Sequence, residues 1–208
     1  MSTIRSSSLS KGWENSIRLL MRKNNLAPTE RGDYAAELFN FSMLFTPGYD
    51  TNEISDNYPM KKTYIYDYIK AYDLESDSLS GTALRLRQYG HNKINQIEKV
   101  TEKLKFDASS RRAVVILWDP DNDLGSEHPP CLTQLNISIK DNMLNLTAIM
   151  RSNDAWKIAL ADFFAISSVH DYFCTQLKKQ KGFYNHFSTS YHLYESDYPS
   201  AFSVLGHL

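Results

Sequence analysis

Cysteine is scarce in this sequence, and metal-binding patterns are absent from it. The 208 residues include two cysteines, Cys131 and Cys174, too few for a disulfide framework or a four-cysteine zinc site. The acidic run at 119–123 starts like a calcium loop but lacks the turn glycine and the distal glutamate at the required spacing. We therefore expect neither a disulfide scaffold nor a bound metal.

Long apolar runs and a surplus of positive charge are also lacking. No apolar stretch approaches the roughly 18 residues that cross a membrane, and the N-terminus carries no apolar signal segment. The 23 Lys and Arg residues nearly balance the 24 Asp and Glu residues, whereas proteins that bind nucleic acid polymers are usually basic. We expect a cytoplasmic protein with no membrane span and no nucleic acid polymer as its partner.

What remains is the composition of an ordinary globular domain, with 42% apolar and 23% charged residues. The length fits one domain over residues 1–208. Apolar spacing in the first half predicts helices at Trp13–Met21, Tyr64–Ala71 and Ile94–Leu104, and strands at Ala36–Phe45 and Ala113–Trp118. The first of these strands should close at Pro47, before a polar loop at 48–56.

The second half shows a clearer pattern. Apolar and polar residues alternate through Leu132–Lys140, and a second strand, Met143–Met150, follows the turn residues Asp141 and Asn142. A long apolar segment predicts a helix from Trp156 to Leu177, stopped by a lysine-rich end and Gly182, and a last strand covers 186–194. Strands and helices alternate without a regular order, which favours an α+β fold.

Cys131 is the first candidate for chemistry. It follows Pro129 and Pro130 at the start of a strand, and Arg151 and Ser152 lie at the far end of the returning strand. A hairpin brings these positions together, and an arginine beside a cysteine favours the thiolate while offering a bidentate clamp for an anion. The pattern fits a nucleophile beside a phosphate site; the alternative is a small buried cysteine and a surface arginine.

Four blocks, in order, resemble thymidylate synthases and their nucleotide hydroxymethylase relatives. They are Arg-Arg-Ala-Val-Val-Ile-Leu-Trp-Asp at 111–119, Pro-Pro-Cys at 129–131, Met-Arg-Ser-Asn-Asp at 150–154 and Ser-Tyr-His-Leu-Tyr at 190–194. The similarity covers 89–194, about half of the chain. It implies an α+β fold of thymidylate synthase type, with a mixed sheet packed against helices and one sheet face at a homodimer interface.

The resemblance also implies roles. Cys131 would be the thiolate that adds to C6 of a pyrimidine nucleotide, so that C5 takes a one-carbon unit from 5,10-methylenetetrahydrofolate. Tyr89 would take part in proton transfer. The 5′-phosphate would be held by Arg151, Ser152 and Arg31, with Arg111 and Arg112 contributed by the partner subunit; His192 and Tyr194 would bind the sugar, and Asp154 and Trp118 the folate.

Asp162 departs from the synthases. It falls where they place an asparagine that reads the uracil edge, whereas cytidylate hydroxymethylases resemble this sequence in having aspartate there. A carboxyl group can accept from the 4-amino group of cytosine and, when protonated, share its proton with N3. The sequence therefore predicts a hydroxymethyltransferase acting on CMP or dCMP, with water capturing the one-carbon unit.

Other departures leave two alternatives open. Leu132 and Met150 replace a histidine and a glutamine of the synthases, and their Glu-Leu-Leu-Trp block has no counterpart between Pro47 and Tyr89. Glu37 is the candidate replacement for the missing acid, and the C-terminal segment is short compared with the synthases. The alternatives are thiolate chemistry on a pyrimidine nucleotide without folate, and a nucleotide-binding homologue without catalysis.

Overall fold

A mixed β-sheet forms the centre of the fold. The computed structural model describes residues 2–23, 26–30, 32–76 and 81–206. The strands in these ranges are β1 (Thr3–Ser8), β2 (Leu26–Pro28), β3 (Tyr34–Asp50), β4 (Val114–Ile116), β5 (Leu132–Lys140), β6 (Met143–Met150), β7 (Asn153–Asp154) and β8 (Gln180–Tyr194). The helices are α1 (Leu9–Lys23), α2 (Lys62–Lys70), α3 (Gly81–Arg87), α4 (Gln96–Phe106), α5 (Pro120–Asp123), α6 (Ala159–Leu177) and α7 (Tyr198–Leu205), with a short 3-10 turn at Glu195–Asp197.

The strand order is β1-β3-β8-β6-β5-β4, with β2 beside β3 and β7 beside β8. The β1/β3, β6/β8 and β7/β8 pairs are parallel, and the other neighbours are antiparallel. This confirms the predicted α+β class and the mixed sheet. The order places β8 near the centre, where its C-terminal end lies beside β3 on one side and β7 on the other.

The predicted hairpin is confirmed. β5 and β6 pair antiparallel from Leu132↔Met150 to Lys140↔Met143. Asp141 and Asn142 have φ angles of 51° and 61°, the left-handed pair that a type I′ turn requires and that Asn and Asp adopt at low cost. The turn fixes the register, so the far ends of the two strands meet.

Helix α6 is the buried centre of the protein. Its side chains are buried around the whole circumference, as expected for a helix that is apolar on every face. The prediction that it begins at Trp156 is wrong, because residues 155–158 form a turn. Trp13 of α1 donates its indole N–H to the carbonyl of Ala155 at 2.7 Å, and the Trp156 ring stacks on Trp13 with centroids 5.4 Å apart.

The predicted end of this helix is confirmed: α6 ends at Leu177, and Lys178 of the lysine-rich segment caps it in the left-handed conformation with φ 52°. Gly182 does not contribute to this stop. Gly182 lies inside β8, where a Cβ atom would come within 2.7 Å of the Leu144 carbonyl oxygen and 2.5 Å of Asn145 Oδ1. Close approach of β6 therefore explains this glycine.

Other boundaries also differ from the predictions. β3 continues past Pro47 to Asp50, because the β1/β3 register shifts there and a proline without an N–H is tolerated. Ile94 is outside α4; it forms an isolated bridge with Tyr89, and Asn95 caps the helix by accepting from the backbone N–H of Glu98. β8 begins at Gln180 rather than at His186. The sequence pattern did not predict β1, β2, β7, α3, α5 or α7, all short or without clear periodicity.

Candidate active site

Cys131 lies in the wall of a cavity of about 820 Å³, a volume typical of small-molecule sites. The cavity opens where β5 begins and where β6, β7 and β8 end. It lies between the loop before Cys131 and the segment at 27–30. It brings together these predicted site residues: Glu37, Trp118, Cys131, Arg151, Ser152, Asp154, His192 and Tyr194.

Arg151 holds the loop that carries the cysteine. Its backbone N–H donates to the Cys131 carbonyl at 2.9 Å, across the open end of the hairpin. Its side chain donates from Nε to the Pro130 carbonyl at 3.0 Å and from Nη2 to the Pro129 carbonyl at 2.9 Å. A guanidinium has five N–H donors, so three remain for an anion in the cavity. The thiol and the cation are therefore neighbours, as the hairpin predicted.

Strands β3, β8 and β7 form the second wall. His192 of β8 is in register with Glu37 of β3 on one side and with Asp154 of β7 on the other. Ser190, His192 and Tyr194 all line the cavity because alternate residues of a strand point to the same side. This wall thus offers an imidazole flanked by two carboxylates.

Asp154 and Trp118 occupy opposite parts of the cavity. The Oδ1 atom of Asp154 accepts the backbone N–H groups of Trp156 and Lys157, both at 3.0 Å, which orders the turn into α6. Trp118 and Arg151 also line a second, adjoining cavity of about 580 Å³ with Tyr89. The Tyr89 hydroxyl donates to the Trp118 carbonyl at 2.6 Å.

The loop between Trp118 and Cys131 is anchored by an ion pair. Arg85 donates from Nη1 and Nη2 to the two carboxylate oxygens of Asp123, at 2.7 and 2.8 Å, and from Nη1 to the Leu117 carbonyl at 2.6 Å. The hydrogen bonds from Arg85 lower the pKa of Asp123, against a smaller opposing effect of burial. Asp123 is almost fully buried, so the pair fixes the start of the loop that lines the cavity.

This pair predicts a pH dependence of stability. Because the pKa of Asp123 is lower in the folded state, its contribution is present above the unfolded pKa, about 4, and is lost as the pH falls through the folded pKa. Asp123→Asn is expected to lower the free energy of unfolding at pH 7 by about 1 to 2 kcal/mol and to flatten its decline between pH 5 and 3. Urea unfolding at each pH measures both effects.

The matched control is Asp121→Asn, which removes an exposed carboxylate from the same short helix. This variant should follow the wild type at every pH. An Asp123→Asn protein with an unchanged acid limb would contradict the assignment of the ion pair.

Asp162 does not line the cavity. It is 1% exposed in the first turn of α6, where its Oδ1 accepts the Tyr68 hydroxyl at 2.8 Å and its Oδ2 accepts the Asn153 amide at 2.7 Å. Burial raises the pKa of Asp162 to about 6, opposed by hydrogen bonds from Tyr68, Asn153 and Tyr72. Tyr72 is also electrostatically coupled to Cys131, so the carboxyl lies behind the cavity wall that carries the cysteine.

The remaining predicted residues lie elsewhere. Arg111 and Arg112 are exposed, just before β4, and do not line the cavity of their own chain. Arg31 lies outside the described residues. Among the described residues of the cavity wall, acids outnumber lysines and arginines: the former are Glu30, Glu37, Asp123, Glu127 and Asp154, and the latter Arg151 alone.

Sequence reasoning missed several functional positions. Asp123, Glu127 and His128 line the cavity from a polar loop that has no periodic pattern to reveal it. The tyrosines around Asp162 did have a signal, because Tyr64, Tyr68 and Tyr72 recur at every fourth residue. Tyr64 and Tyr68 share one face of α2, and Tyr72 continues this spacing in the turn that follows the helix.

The fold and the cavity define a small-molecule site in which the Arg151 guanidinium lies beside the partly exposed Cys131. The sequence model of the thymidylate synthase family matches residues 51–206, and the chain therefore belongs to the thymidylate synthase family. The family consists of one-carbon transferases that act on a pyrimidine nucleotide with methylenetetrahydrofolate as co-substrate.

Curated relatives agree with this assignment. Proteins named "Putative thymidylate synthase" are similar to the chain: one from Methanosarcina barkeri is 24% identical over 202 residues, which cover 94% of this chain and 90% of that protein. Those from Methanococcoides burtonii and Methanocaldococcus jannaschii are both 26% identical, and cover 94% and 93% of this chain and 90% and 91% of their own length. In the part of the chain that is described, none of the helices is long and apolar enough to cross a membrane.

Arg151→Lys tests the clamp at the cysteine. Lysine keeps the charge but loses the planar fork that reaches two proline carbonyls and an anion together. We expect the KM for the nucleotide to rise about 30-fold, equal to about 2 kcal/mol, with a smaller effect on the melting temperature. Steady-state kinetics and thermal unfolding measure the two effects. An unchanged KM would exclude Arg151 as a ligand of the phosphate.

Proposed function

We propose that the protein transfers a hydroxymethyl group to C5 of CMP or dCMP, with Cys131 as the nucleophile. The cytidine assignment rests on Asp162, an aspartate where the synthases have an asparagine, and it requires this carboxyl to reach the base from behind the cavity wall, where it bonds Tyr68 and Asn153. A protonated carboxyl can donate to N3 of cytosine while its other oxygen accepts from the 4-amino group. Uracil carries N3–H and O4 instead, and would leave this edge mismatched at a cost of a few kcal/mol.

Cys131 supplies the covalent step. Its thiolate adds to C6 of the pyrimidine, the C5–C6 π electrons move into the ring, and C5 becomes nucleophilic. Once its carboxyl reaches the base, Asp162 donates its proton to N3 and neutralises the charge that develops on the ring. Arg151 and Ser152 hold the 5′-phosphate, so that the ring is delivered to the sulfur in a fixed orientation.

The residues of the cavity fit a folate. Trp118 offers an aromatic face, Asp154 offers a carboxylate on the opposite wall, and the adjoining cavity at Tyr89 extends the space available. When bound, methylenetetrahydrofolate supplies a one-carbon unit that is electrophilic at carbon. Glu37 and the Tyr89 hydroxyl are the groups that we assign to ordering water and moving protons, and His192 and Tyr194 bind the sugar.

We further propose a homodimer in which each site receives Arg111 and Arg112 from its partner. Two observations support it. Arg151 is the one lysine or arginine among the described residues of the cavity wall, and its guanidinium already donates to two proline carbonyls, so a phosphate dianion requires further cations. The sheet side away from α6 also carries partly buried Ile149, Phe183 and Phe187, which a second sheet would cover. Mixing Arg112→Ala protein with Cys131→Ser protein should restore activity, because one of the two sites in the hybrid is then intact.

The substrate assignment is tested by turnover. The purified protein is incubated with methylenetetrahydrofolate and, separately, with CMP, dCMP, UMP and dUMP, and products are identified by mass spectrometry. We expect a mass gain of one CH2O unit on a cytidine nucleotide. A product from dUMP alone would overturn the cytidine assignment, and tritium release from C5 of CMP without any folate would favour thiolate chemistry that needs no one-carbon donor. Nucleotide binding that survives Cys131→Ser, with no turnover by either protein, would identify a binding protein without catalysis.

A further inference from the structure

A buried chain of hydrogen bonds runs from β8 to Asp162. The Tyr184 hydroxyl lies 2.8 Å from His186 Nδ1, His186 Nε2 lies 3.2 Å from Asn153 Oδ1, and Asn153 Nδ2 lies 2.7 Å from Asp162 Oδ2. All four side chains are at most 1% exposed, so no bulk water completes their hydrogen bonds. Each protein partner must therefore match donor to acceptor.

This arrangement has one consistent set of proton positions when Asp162 is ionised. The carboxylate accepts from the Asn153 NH2 group, and the amide oxygen then accepts from His186. His186 must carry its proton on Nε2, which leaves Nδ1 to accept the Tyr184 hydroxyl. Burial lowers the pKa of His186 to about 3, so the imidazole is neutral and has a single proton to place.

A protonated Asp162 reverses every polarity in the chain. The carboxyl O–H needs an acceptor, and a half-turn of the Asn153 amide supplies its oxygen without displacing other heavy atoms. The NH2 group then faces His186 Nε2, which must accept, and the imidazole proton moves to Nδ1 by exchange with water. The carboxyl gains one proton, while the imidazole keeps one proton and the amide group keeps two. The Tyr184 hydroxyl, which donated to His186 Nδ1 when Asp162 was ionised, now accepts from Nδ1–H.

We infer that Asn153 and His186 follow the proton on Asp162, so that the tautomer of His186 records whether the buried carboxyl is ionised. Tyr68 of α2 and Tyr72, which follows that helix, do not record this change, because both approach the carboxyl as donors. The tautomer change does not depend on the substrate, and any bearing on cytosine recognition rests on the proposed function.

The charged and titratable groups around Asp162 decide which residue accounts for a titration near pH 6. Asp154 of β7 is a nearby charge and raises the pKa of Asp162 further. The tyrosines coupled to it all have raised pKa values and stay neutral below pH 8; they are Tyr58, Tyr64, Tyr68, Tyr72, Tyr184 and Tyr191. A change near pH 6 in this cluster therefore reports Asp162.

The test is 15N NMR of the histidine rings in the whole protein between pH 8 and 5, with His186 assigned from its absence in His186→Gln. We expect a neutral ring throughout, with the bonded proton on Nε2 at pH 8 and on Nδ1 at pH 5, and a midpoint near 6. Asp162→Asn is the matched variant: its amide turns the oxygen to Tyr68 and the NH2 group to Asn153, which locks the Nδ1–H form at every pH.

Two outcomes would overturn the inference. One is a wild-type His186 that keeps one tautomer over the whole range, and the other is the same transition in Asp162→Asn. Neither result depends on turnover. A protein that switches tautomer yet makes no product from CMP would contradict the proposed function and leave the inference intact.

Discussion

Replacing Cys131 by serine is expected to lower turnover at least about a thousandfold, equal to about 4 kcal/mol in the transition state. A serine hydroxyl is far less acidic than a thiol, so it adds to C6 far less efficiently. Nucleotide binding should change less than about threefold, because Arg151, Ser152 and His192 are untouched. Turnover is measured by mass spectrometry and binding by calorimetry.

The matched control uses the second cysteine. Cys174 is buried on α6, and burial raises the pKa of its thiol to about 11, so it is a poor nucleophile. Cys174→Ala should retain turnover. If Cys131→Ser turns over like the wild type, the nucleophile is another group.

Asp162→Asn is expected to reverse the preference between bases. The amide can donate to O4 and accept from N3–H, so kcat/KM for the cytidine nucleotide should fall about a hundredfold while that for the uridine nucleotide rises. The cost to cytosine arises because an amide NH2 group would face the 4-amino donor and leave buried polar groups unpaired. Parallel kinetics with CMP and UMP, and with their deoxy forms, give the ratio.

The Asp162→Ala variant separates the role of Asp162 in base recognition from its role in folding. This variant removes both donor and acceptor, and should lower kcat/KM for both bases without exchanging their order. An Asp162→Asn protein that keeps the cytidine preference of the wild type would remove Asp162 from base recognition.

The hairpin and the central helix were largely predictable. Alternation of apolar residues, the Asp141-Asn142 turn and the long apolar segment are local signals, and each gave the correct element. The proximity of Cys131 and Arg151 followed from the hairpin alone, because strand register converts sequence distance into spatial distance. Boundaries were less predictable where close packing decided them, as at Gly182 and Pro47.

The candidate site was predictable only in part. The four sequence blocks identified nine of the 20 residues that line the cavity, since each block lies at the end of a strand that the sheet aligns. The Arg85–Asp123 pair joins residues 38 positions apart, and no periodicity relates them. The surroundings of Asp162 were equally hidden, because they come from α2, β7 and β8.

The sequence by itself determined the α+β class, the hairpin and the family, because these depend on local periodicity and on short blocks of residues in order. Only the tertiary structure decided that Asp162 is enclosed by Tyr68 and Asn153 rather than open to the cavity, and that His186 is tied to it. Burial is the physical reason, because removing water from a carboxyl raises its pKa and requires each neighbouring polar group to supply the complementary hydrogen-bond donor or acceptor. Burial is a property of the folded chain and not of the sequence pattern.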